Sequence, residues 1–371
     1  MAPERYLTPL VLEDLQRKMV FISGPRQVGK TTLARALPGG DGGYRNWDVD
    51  ADRERILRHE LPVGDLLILD EIHKYRRWRN HLKGLWDSRE RRHRILVTGS
   101  ARLEYYRYSG DSLQGRYHLL RLHPFSAAEL GLANQADLHA LLELSGFPEP
   151  FTSGSERTAR RWSREYRNRL LREDARDLES ISDLGRMETL LLRLPELVGA
   201  PLSINALRED LDVAHRTVAR WLDILERLFA IYRITPIGPP RTRALKKQPK
   251  HYHFDWTLVP APAQRFENLV ASHLLKWVHW NQDHDGRDFD LRYFRDKDGR
   301  EVDFVVVDGR KPILMVECKL GDDEIGKGLH LLRERYPHCP AWQVHLEGSK
   351  NYLSPDGIRV APAIELLRTL A

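Results

Sequence analysis

The segment from Met19 to Leu33 constrains the fold more than any other part of the sequence. It reads MVFISGPRQVGKTTL, which is a short apolar run, a turn bounded by two glycines, and a Lys-Thr-Thr sequence that opens a helix. The pattern G-x-x-x-x-G-K-T predicts a phosphate-binding loop. Backbone N–H groups at a helix N-terminus hold phosphates, because the aligned peptide dipoles favour negative charge there. The residues expected to bind a nucleotide are Gly24, Pro25, Arg26, Gln27, Val28, Gly29, Lys30, Thr31 and Thr32.

Two side chains of this loop have distinct predicted roles. Lys30 would reach the β- and γ-phosphates of ATP, and the hydroxyl of Thr31 would bind Mg²⁺. The alternative is an ordinary glycine turn. The apolar strand before the loop and the helix after it are the context that favours the phosphate-binding interpretation.

The segment from Asp65 to Glu71 predicts the second half of an ATPase site. It reads DLLILDE, and four consecutive apolar residues are typical of a strand buried on both faces of a parallel sheet. Catalytic groups gather at the carboxyl ends of such strands. Asp70 would therefore hold Mg²⁺, directly or through water, and Glu71 would orient the attacking water. A core strand that simply ends in solvent is the alternative.

Several longer motifs resemble one protein family. They are GPRQVGKTTL, NWD at Asn46 to Asp48, LDEIHKYRRWRNHLKGLWD, LVTGSARLEYYR, REVDF and VECK. Together they look like the prokaryotic AAA+ ATPases that join an AAA domain to a C-terminal domain of unknown function. The similarity covers essentially the whole chain. It implies ATP binding and a nuclease-like C-terminal fold, but it does not imply a settled biological role.

The resemblance extends to two further catalytic candidates. The segment from Arg94 to Ser100, RILVTGS, predicts a third strand that ends in small polar residues. In AAA+ ATPases a polar residue at this position senses the γ-phosphate. Ser100 is the first choice for this sensor and Thr98 the second. Arg116 is a candidate for the arginine that reaches a γ-phosphate on a neighbouring subunit, where it would stabilise the charge that develops in phosphoryl transfer. A structural role for Arg116 is an equal alternative.

Composition limits the class of protein. The sequence has 371 residues, enough for two or three domains. It has no apolar run near the ~20 residues of a membrane span and no charged-then-apolar signal segment at its N-terminus. Its only cysteines are Cys318 and Cys339, too few for a disulfide framework or a zinc site. We therefore expect a soluble cytoplasmic protein without a membrane partner.

The charge distribution suggests a polyanionic partner. The formal net charge is +6. The segment from His73 to Arg94 contains nine Lys or Arg residues and only two acidic residues. This stretch is a candidate for contacts with backbone phosphates, and a solvated basic face is an equal alternative. We interpret Trp78 and Trp86 within it as core anchors. The segment from Glu156 to Asp177 has Arg and acidic residues at helical spacing. This pattern predicts a solvated helix with ion pairs between neighbouring turns.

The middle of the chain predicts a helix-turn-helix. A helix capped by Ser203 ends near Leu211, and a second amphipathic helix runs from His215 to Phe229 after a three-residue turn. Segments 229–237 and 251–255 would form a wing around a basic loop at 241–247. In a DNA-binding unit the side chains facing the groove would be His215, Arg216, Thr217 and Arg220. A lid or a subunit contact is the alternative.

The last 110 or so residues predict a second chemical site. Glu301 to Val307 and Ile313 to Lys319 read as two strands joined by a hairpin turn. Residues two apart on a strand point to the same face, so Glu317 and Lys319 project together and Asp303 can join them. Glu267, on the preceding helix, would complete an acidic ring. Asp303, Glu317 and Glu267 are thus candidate Mg²⁺ ligands, and Lys319 would activate water or neutralise the scissile phosphate.

This D-x13-E-x-K arrangement resembles the PD-(D/E)xK nuclease core. Val302 stands where that core often has Pro, a departure that is common. Such folds cut nucleic acid or serve as DNA-binding platforms, and both possibilities stay open. The alternative for Lys319 is a strand-edge charge paired with Glu317 or Asp303.

The sequence therefore predicts an α/β protein in three parts. These are a P-loop AAA+ core with a parallel sheet at 1–145, a helical segment with a winged helix at 146–255, and a nuclease-like α/β domain with a mixed sheet at 256–371. We expect an ATP-hydrolysing, DNA-processing homo-oligomer, for which a hexamer is one option. A regulatory NTPase switch with an inactive nuclease-like domain and a protein partner is the alternative.

Overall fold

The computed structural model describes residues 4–88, 93–99, 113–175, 183–237 and 248–370. The chain divides into two compact units, Met1–Pro124 and Phe125–Ala371. The first unit ends before residue 145, where the sequence places the end of the AAA+ domain. The middle and C-terminal segments lie together in the second unit. The three-part division stays a prediction, since one compact unit can hold more than one domain.

A parallel sheet forms the centre of the first unit. Its spatial order is β2-β3-β4-β1-β5, and all neighbouring strands are parallel. Every residue of β1 and β3 is buried, as expected for strands covered on both faces. The strands are β1 (Met19–Ser23), β2 (Tyr44–Asn46), β3 (Leu66–Asp70), β4 (Arg94–Thr98) and β5 (Tyr117–Arg121). This arrangement confirms the predicted α/β class and its parallel sheet.

Helices flank this sheet. Trp78 is 4% exposed and packs with Phe21, and the partly buried Trp86 packs against the same core cluster, which confirms both tryptophans as core anchors. The helices are α1 (Thr8–Asp14), α2 (Lys30–Ala36), α3 (Gly40–Gly43), α4 (Asp50–Leu57), a 3-10 turn at Ile72–Lys74, and α5 (Trp78–Ser88).

The second unit begins with a helical part. Its elements are α6 (Gln135–Leu144), α7 (Pro148–Ser153), α8 (Glu156–Arg169), a π-helical segment (Leu170–Ala175), α9 (Leu184–Arg193), a 3-10 turn (Leu194–Leu197), α10 (Ile204–Leu211) and α11 (His215–Arg227). On α8, Arg160 pairs with Glu156 at 3.0 Å and Arg169 with Glu165 at 3.8 Å. These exposed i,i+4 pairs confirm the predicted ion-paired helix.

Helices α10 and α11 form the predicted helix pair. The side chain of Ser203 accepts a hydrogen bond from the backbone N–H of Ala206 at 3.2 Å, which caps α10. The apolar stripe of α11 is buried, including Trp221 and Leu222. His215, Arg216 and Arg220 lie exposed near the start of α11, because its apolar stripe takes the opposite face.

A mixed sheet of eight strands completes the second unit. Its order is β12-β13-β11-β10-β9-β8-β6-β7. The strands are β6 (Ile231–Pro236), β7 (Lys250–His253), β8 (Phe289–Arg295), β9 (Glu301–Asp308), β10 (Lys311–Lys319), β11 (Ala341–His345), β12 (Tyr352–Leu353) and β13 (Ile358–Pro362). The helices of this part are a 3-10 turn (Trp256–Leu258), α12 (Pro262–Asp285), α13 (Lys327–Arg335) and α14 (Ala363–Leu367). The antiparallel β9–β10 hairpin confirms the predicted turn between them.

The two predicted wing strands join this mixed sheet. Strands β6 and β7 pair antiparallel, as a wing would, but Thr235 and Pro236 of β6 also pair in parallel with Arg292 and Tyr293 of β8. The basic loop at 241–247 lies outside the described residues. Within the described ranges, we find no helix with the length and apolar character needed to cross a membrane.

Candidate functional site

The predicted phosphate-binding loop connects β1 to α2. Gly24 has a φ of 144°, and a Cβ there would lie 2.3 Å from the backbone oxygen of Leu122, so only glycine fits. Gly29 has a φ of 99° and precedes the first residue of α2. The turn therefore needs both glycines of the motif, and it brings the loop to the N-terminus of α2, where backbone N–H groups can bind an anion.

Two side chains of this loop, Lys30 and Thr31, form hydrogen bonds that define its geometry. Lys30 is 8% exposed, and its Nζ donates to the backbone oxygens of Gly24 at 2.9 Å and Pro25 at 2.6 Å. Thr31 Oγ1 donates to Asp70 Oδ2 at 2.8 Å. The structure therefore brings together the loop and the acidic strand that the sequence had paired by motif alone.

The Asp70 carboxylate accepts hydrogen bonds from three hydroxyl groups. Besides Thr31, the hydroxyl of Tyr44 donates to Asp70 Oδ2 at 2.8 Å and that of Thr98 to Oδ1 at 2.6 Å. Hydroxyl and carboxylate oxygens beside a phosphate-binding helix are the ligands that Mg²⁺ prefers. Thr31 and Asp70 thus fit Mg²⁺, which would supply positive charge to the phosphates of a bound nucleotide.

Glu71 lies directly after β3 in a left-handed conformation, with a φ of 57°. Its Oε2 is 3.5 Å from Lys74 Nζ and 3.6 Å from His73 Nε2. Burial raises the pKa of the Glu71 carboxyl, and the ammonium of Lys74 opposes that shift. A carboxylate with a raised pKa is better suited to accept a proton from water.

The remaining ATPase candidates have different positions. Thr98, the second choice for the sensor, contacts Asp70 directly, whereas Ser100 lies outside the described residues. The backbone oxygen of Arg116 accepts a hydrogen bond from the N–H of Met19 at 3.0 Å, at the start of β1, and its Nε is 3.2 Å from Asp87. The phosphate-binding loop follows the other end of β1. A phosphate contact by Arg116 would therefore be made on another subunit, and this role stays a prediction.

Sequence reasoning missed a residue that supports the loop. The guanidinium of Arg5 donates to the backbone oxygens of Val28 and His123, both at 2.5 Å. It ties the loop to the segment after β5. The local sequence MAPERY carries no signal for this role, because both partners are distant in sequence and are backbone atoms.

The predicted basic stretch lines a cleft beside Glu71. Residues 73–80 border a cleft of about 470 Å³. Arg76 and Arg77 on its border are exposed, and Arg79 lies over the ring of Trp78 at 5.7 Å. An open cleft with this lining can accept a phosphate group.

The predicted second site assembles in the mixed sheet of the second unit. The antiparallel pairing of β9 with β10 brings Asp303 beside Glu317, whose Oε2 accepts a hydrogen bond from the Asp303 N–H at 3.4 Å. Asp303 Oδ2 accepts one from the Cys318 N–H at 2.8 Å. Lys319 Nζ donates to Glu317 Oε1 at 2.9 Å, which is the pairing that the sequence offered as the alternative for Lys319.

A lysine that was not predicted occupies the other side of this cluster. The side chain of Lys250, on β7, is 1% exposed, and its Nζ is 3.5 Å from Glu267 Oε1 and 3.8 Å from Asp303 Oδ1. It also forms an ion pair with Glu301. The hydroxyl of Tyr252 donates to Glu267 Oε1 at 2.7 Å. Glu267 and Asp303 thus face Lys250, while Glu317 faces Lys319.

Burial governs the ionisation of this cluster. Burial, followed by the nearby Asp303, raises the pKa of both Glu267 and Glu317 to about 7. Burial lowers the pKa of Lys250, but the carboxylates of Glu267, Asp303 and Glu301 outweigh it and leave that pKa above its ordinary value. The lysine therefore stays charged and supplies the positive charge that the carboxylates need.

The residues present do not fit Mg²⁺ in this second site. Mg²⁺ requires oxygen ligands at about 2.0–2.1 Å in an octahedron, usually including several waters. The Lys250 ammonium instead lies among the carboxylates that would be its ligands. In the ranges that the structure describes, no group of three or more His, Cys, Asp or Glu side chains is placed to hold a metal ion.

The residues missed at this site differ in how they could have been found. Glu301 lies two residues before Asp303 on β9, so strand alternation places both on one face. Lys250 and Tyr252 are on β7, distant in sequence from their partners. Gln343 on β11 holds the loop after β10, since its side chain accepts from the Gly326 N–H at 3.1 Å and donates to the Asp323 oxygen at 3.2 Å.

Three domain families match successive parts of the chain. An AAA domain matches residues 16–131, a domain of unknown function (DUF8612) matches residues 135–268, and a second domain of unknown function (DUF4143) matches residues 264–366. The first match covers the phosphate-binding loop and the acidic strand. The last covers Glu267, Asp303, Glu317 and Lys319.

Two curated relatives are uncharacterised proteins of Mycobacterium tuberculosis and Mycobacterium bovis. Each is 28% identical to this chain over 246 residues, which are 65% of this chain and 55% of the relative. The chain thus matches about half the length of these relatives.

Similar solved structures include the Orc1 protein of Aeropyrum pernix in complex with DNA, with a TM-score of 0.32 and 13% identity over 72% of this chain and 91% of that one. Another is the DNA clamp loader delta protein of Bacillus subtilis, with a TM-score of 0.29 and 12% identity over 59% of this chain and 88% of that one. Both scores are too low to equate the folds. The family matches place an AAA domain over the α/β core with the phosphate-binding loop, and a DUF4143 domain at the C-terminal part of the chain.

Proposed function

We propose that the chain is a Mg²⁺-dependent ATP hydrolase that acts on DNA. The observation that carries the proposal is the 2.8 Å hydrogen bond from Thr31 to Asp70. It joins the phosphate-binding loop to the acidic strand at the N-terminus of α2. Those two elements are what ATP hydrolysis requires in P-loop enzymes.

Each residue of this site has a distinct part in the proposed reaction. The loop N–H groups and Lys30 bind the phosphates, and Thr31 and Asp70 hold the metal ion. Glu71 orients the attacking water and accepts its proton, and Lys74 holds the Glu71 carboxylate in place. Thr98 or Ser100 would link the acidic strand to the γ-phosphate.

DNA is the proposed partner because of where the positive charge lies. Arg216 and Arg220 are exposed near the start of α11, where a recognition helix presents side chains to a groove. Arg76 and Arg77 border the cleft beside Glu71. Contacts of this kind are mainly with phosphates, so binding should weaken steeply as salt rises. The winged-helix and nuclease-like folds of the second unit are part of this proposal.

A homo-oligomer is also proposed, with a hexamer as one option. Arg116 lies at the end of the sheet opposite its own phosphate-binding loop. It could act on ATP only from a neighbouring subunit, as trans-acting arginines do.

A second candidate is a regulatory NTPase switch with an inactive nuclease-like domain that binds a protein partner. The observation that favours it is the Lys250 ammonium among the carboxylates of the second site. This candidate keeps the ATPase site and assigns no chemistry to the second site.

One experiment separates the two candidates. ATP turnover by the purified chain would be measured at low salt with duplex, single-stranded and four-way-junction DNA, and cleavage would be followed in the same tubes. Stimulation by one DNA form supports the DNA-acting ATPase. Basal hydrolysis with neither stimulation nor cutting supports the switch, and the absence of hydrolysis contradicts both.

Any nicking seen in those tubes needs its own control. Because the second site does not fit Mg²⁺, we expect Asp303→Ala to nick as much as the wild type, as a contaminating nuclease would. Loss of nicking in Asp303→Ala, with ATP hydrolysis unchanged, would instead place the cleavage in the second site.

A further inference from the structure

We propose that Lys250 is a built-in cation that takes the place of a divalent metal ion in the second site. In the wild-type chain, the carboxylates of Glu267, Glu301 and Asp303 would then bind no Mg²⁺. Removing the lysine would open a divalent-cation site that the natural protein keeps closed. This inference does not depend on ATP hydrolysis or on DNA binding.

The first argument is the charge around the Lys250 ammonium, which lies among several carboxylates. Three carboxylates surround Lys250 Nζ, those of Glu267 at 3.5 Å, Asp303 at 3.8 Å and Glu301 in an ion pair. The ring of Tyr293 lies 5.4 Å from the same nitrogen and offers its negative face to the charge.

The second argument is burial. The Lys250 side chain is 1% exposed, so its charged group cannot move into solvent without unpacking β7 from its neighbours. A buried lysine is rare unless it is paired, because an isolated ammonium loses its hydration. Its pairing with carboxylates from β9 and α12 holds the ammonium at this position.

The third argument is that the carboxylates of this site also bond to other groups of the protein. Asp303 uses Oδ2 for the Cys318 N–H, and Glu267 Oε1 also accepts from the hydroxyl of Tyr252. Glu317 is paired with Lys319. Hence each carboxylate is already engaged, and a divalent ion at this place would meet the Lys250 ammonium at short range.

The test uses Mn²⁺ alone, because its free form is counted directly by electron paramagnetic resonance. Mn²⁺ binding would be titrated on the full chain without nucleotide for the wild type, Lys250→Met and Lys276→Met. Lys276 is the matched control, since it is a buried lysine of the same unit that contacts the Glu129 carboxylate at 2.5 Å and the Ser126 hydroxyl at 2.8 Å. Its replacement leaves Lys250 in place among the carboxylates of the second site.

We expect Lys250→Met to bind one more Mn²⁺ per chain than either the wild type or Lys276→Met. Mn²⁺ should raise the melting temperature of Lys250→Met and not that of the other two. Adding Glu267→Gln to Lys250→Met should weaken the new site at least about tenfold, the scale seen even when an outer partner of a metal ligand is lost. No gain of Mn²⁺ by a folded Lys250→Met would overturn the proposal.

If Lys250→Met does not fold, a second variant with less uncompensated charge replaces it in the test. Lys250→Met with Glu301→Gln removes one positive and one negative charge and leaves Glu267 and Asp303 as ligands. We expect it to gain the Mn²⁺ site too. Asp303→Asn, with Lys250 present, is an independent check. We expect this variant to bind as much Mn²⁺ as the wild type. Loss of Mn²⁺ in that comparison would show that the natural site holds metal.

Discussion

The ATPase site and the second site both place a lysine near carboxylates, but they use it differently. Lys30 donates to the backbone oxygens of Gly24 and Pro25, and Asp70 accepts from three hydroxyl groups. Lys250 instead faces Glu267, Glu301 and Asp303 directly. Lys30 and Asp70 of the first site thus bond to neutral groups that a ligand can replace, whereas the carboxylates of the second site are paired with a buried lysine.

This difference has a physical consequence for function. Neutral partners release a lysine or a carboxylate at moderate cost, since a hydrogen bond between a charged and a neutral group contributes about 1.5–3 kcal/mol net. Removing one partner of a buried ion pair costs more, about 3–5 kcal/mol. The ATPase site can therefore exchange internal contacts for phosphates and Mg²⁺, whereas the second site cannot readily do so.

The largest expected effect is on catalysis at the first site. Lys30→Ala should lower ATP turnover by at least about a hundredfold, the scale for removing one preorganised donor from a developing negative charge. Lys83→Ala, on the exposed face of α5, is the control and should retain full turnover. Steady-state phosphate release measures both, and normal turnover by Lys30→Ala would contradict the assignment.

The next effect is on stability at the second site. Lys250→Met should lower the free energy of unfolding by about 3–5 kcal/mol, because it leaves buried carboxylates without their cation. Lys30→Met should lower it less, by about 1.5–3 kcal/mol, the scale for hydrogen bonds from a charged donor to neutral acceptors such as the oxygens of Gly24 and Pro25. Urea denaturation of the two variants compares them. Equal losses of stability would remove the distinction between the two sites.

The buried histidines of the second unit give a pH dependence. Burial lowers the pKa of His251 and His273 to about 4 and that of His253 to about 3. Their folded-state pKa values lie below the unfolded value of 6.5, so their stabilising effect is complete above that pH and is lost as the pH falls. Each of these histidines should lower the free energy of unfolding by about 1 kcal/mol for each pH unit below 6.5.

Urea titrations of the wild type, His251→Gln, His253→Gln and His273→Gln between pH 7.5 and 5 measure each contribution as a difference from the wild type. The difference is needed because the raised pKa of Glu267 and Glu317 gives stability the opposite pH dependence over the same range. His215→Gln is the control, because His215 is exposed and its replacement should leave the slope unchanged. The same pH dependence in the wild type and in all three buried-histidine variants would contradict the assignment of buried neutral histidines.

The smallest expected effect is on DNA binding. Arg216→Ala and Arg220→Ala should each weaken binding severalfold and reduce the salt-dependence slope by about 1, the value for one phosphate contact. Arg160→Ala, on α8 and paired with Glu156, is the control. Fluorescence anisotropy at several salt concentrations measures the slopes, and equal slopes for all three variants would exclude α11 from the DNA surface.

Local patterns in the sequence predicted the ATPase core and the helix pair. The phosphate-binding loop, the apolar strand that ends at Asp70 and the amphipathic stripe of α11 are each set by residues close in sequence. The hairpin that brings Asp303 to Glu317 is likewise local. Strand and helix periodicity was sufficient for these elements.

Long-range contacts decided what the sequence could not show. Lys250 becomes part of the second site only because β6 and β7 extend the C-terminal sheet, whereas their local pattern suggested a separate wing. Arg5 supports the phosphate-binding loop through backbone oxygens, which carry no sequence signature. Glu267, Asp303 and Glu317 were predicted as metal ligands largely from residue type. The structure adds Lys250, the cation that faces Glu267 and Asp303.

The most direct test of the contrast between the two sites is to count Mn²⁺ ions per chain in the presence of a non-hydrolysable ATP analogue. We expect one ion for each bound nucleotide, lost in Asp70→Asn and kept in Asp303→Asn. A second ion in the wild-type chain, removed by Asp303→Asn, would contradict it.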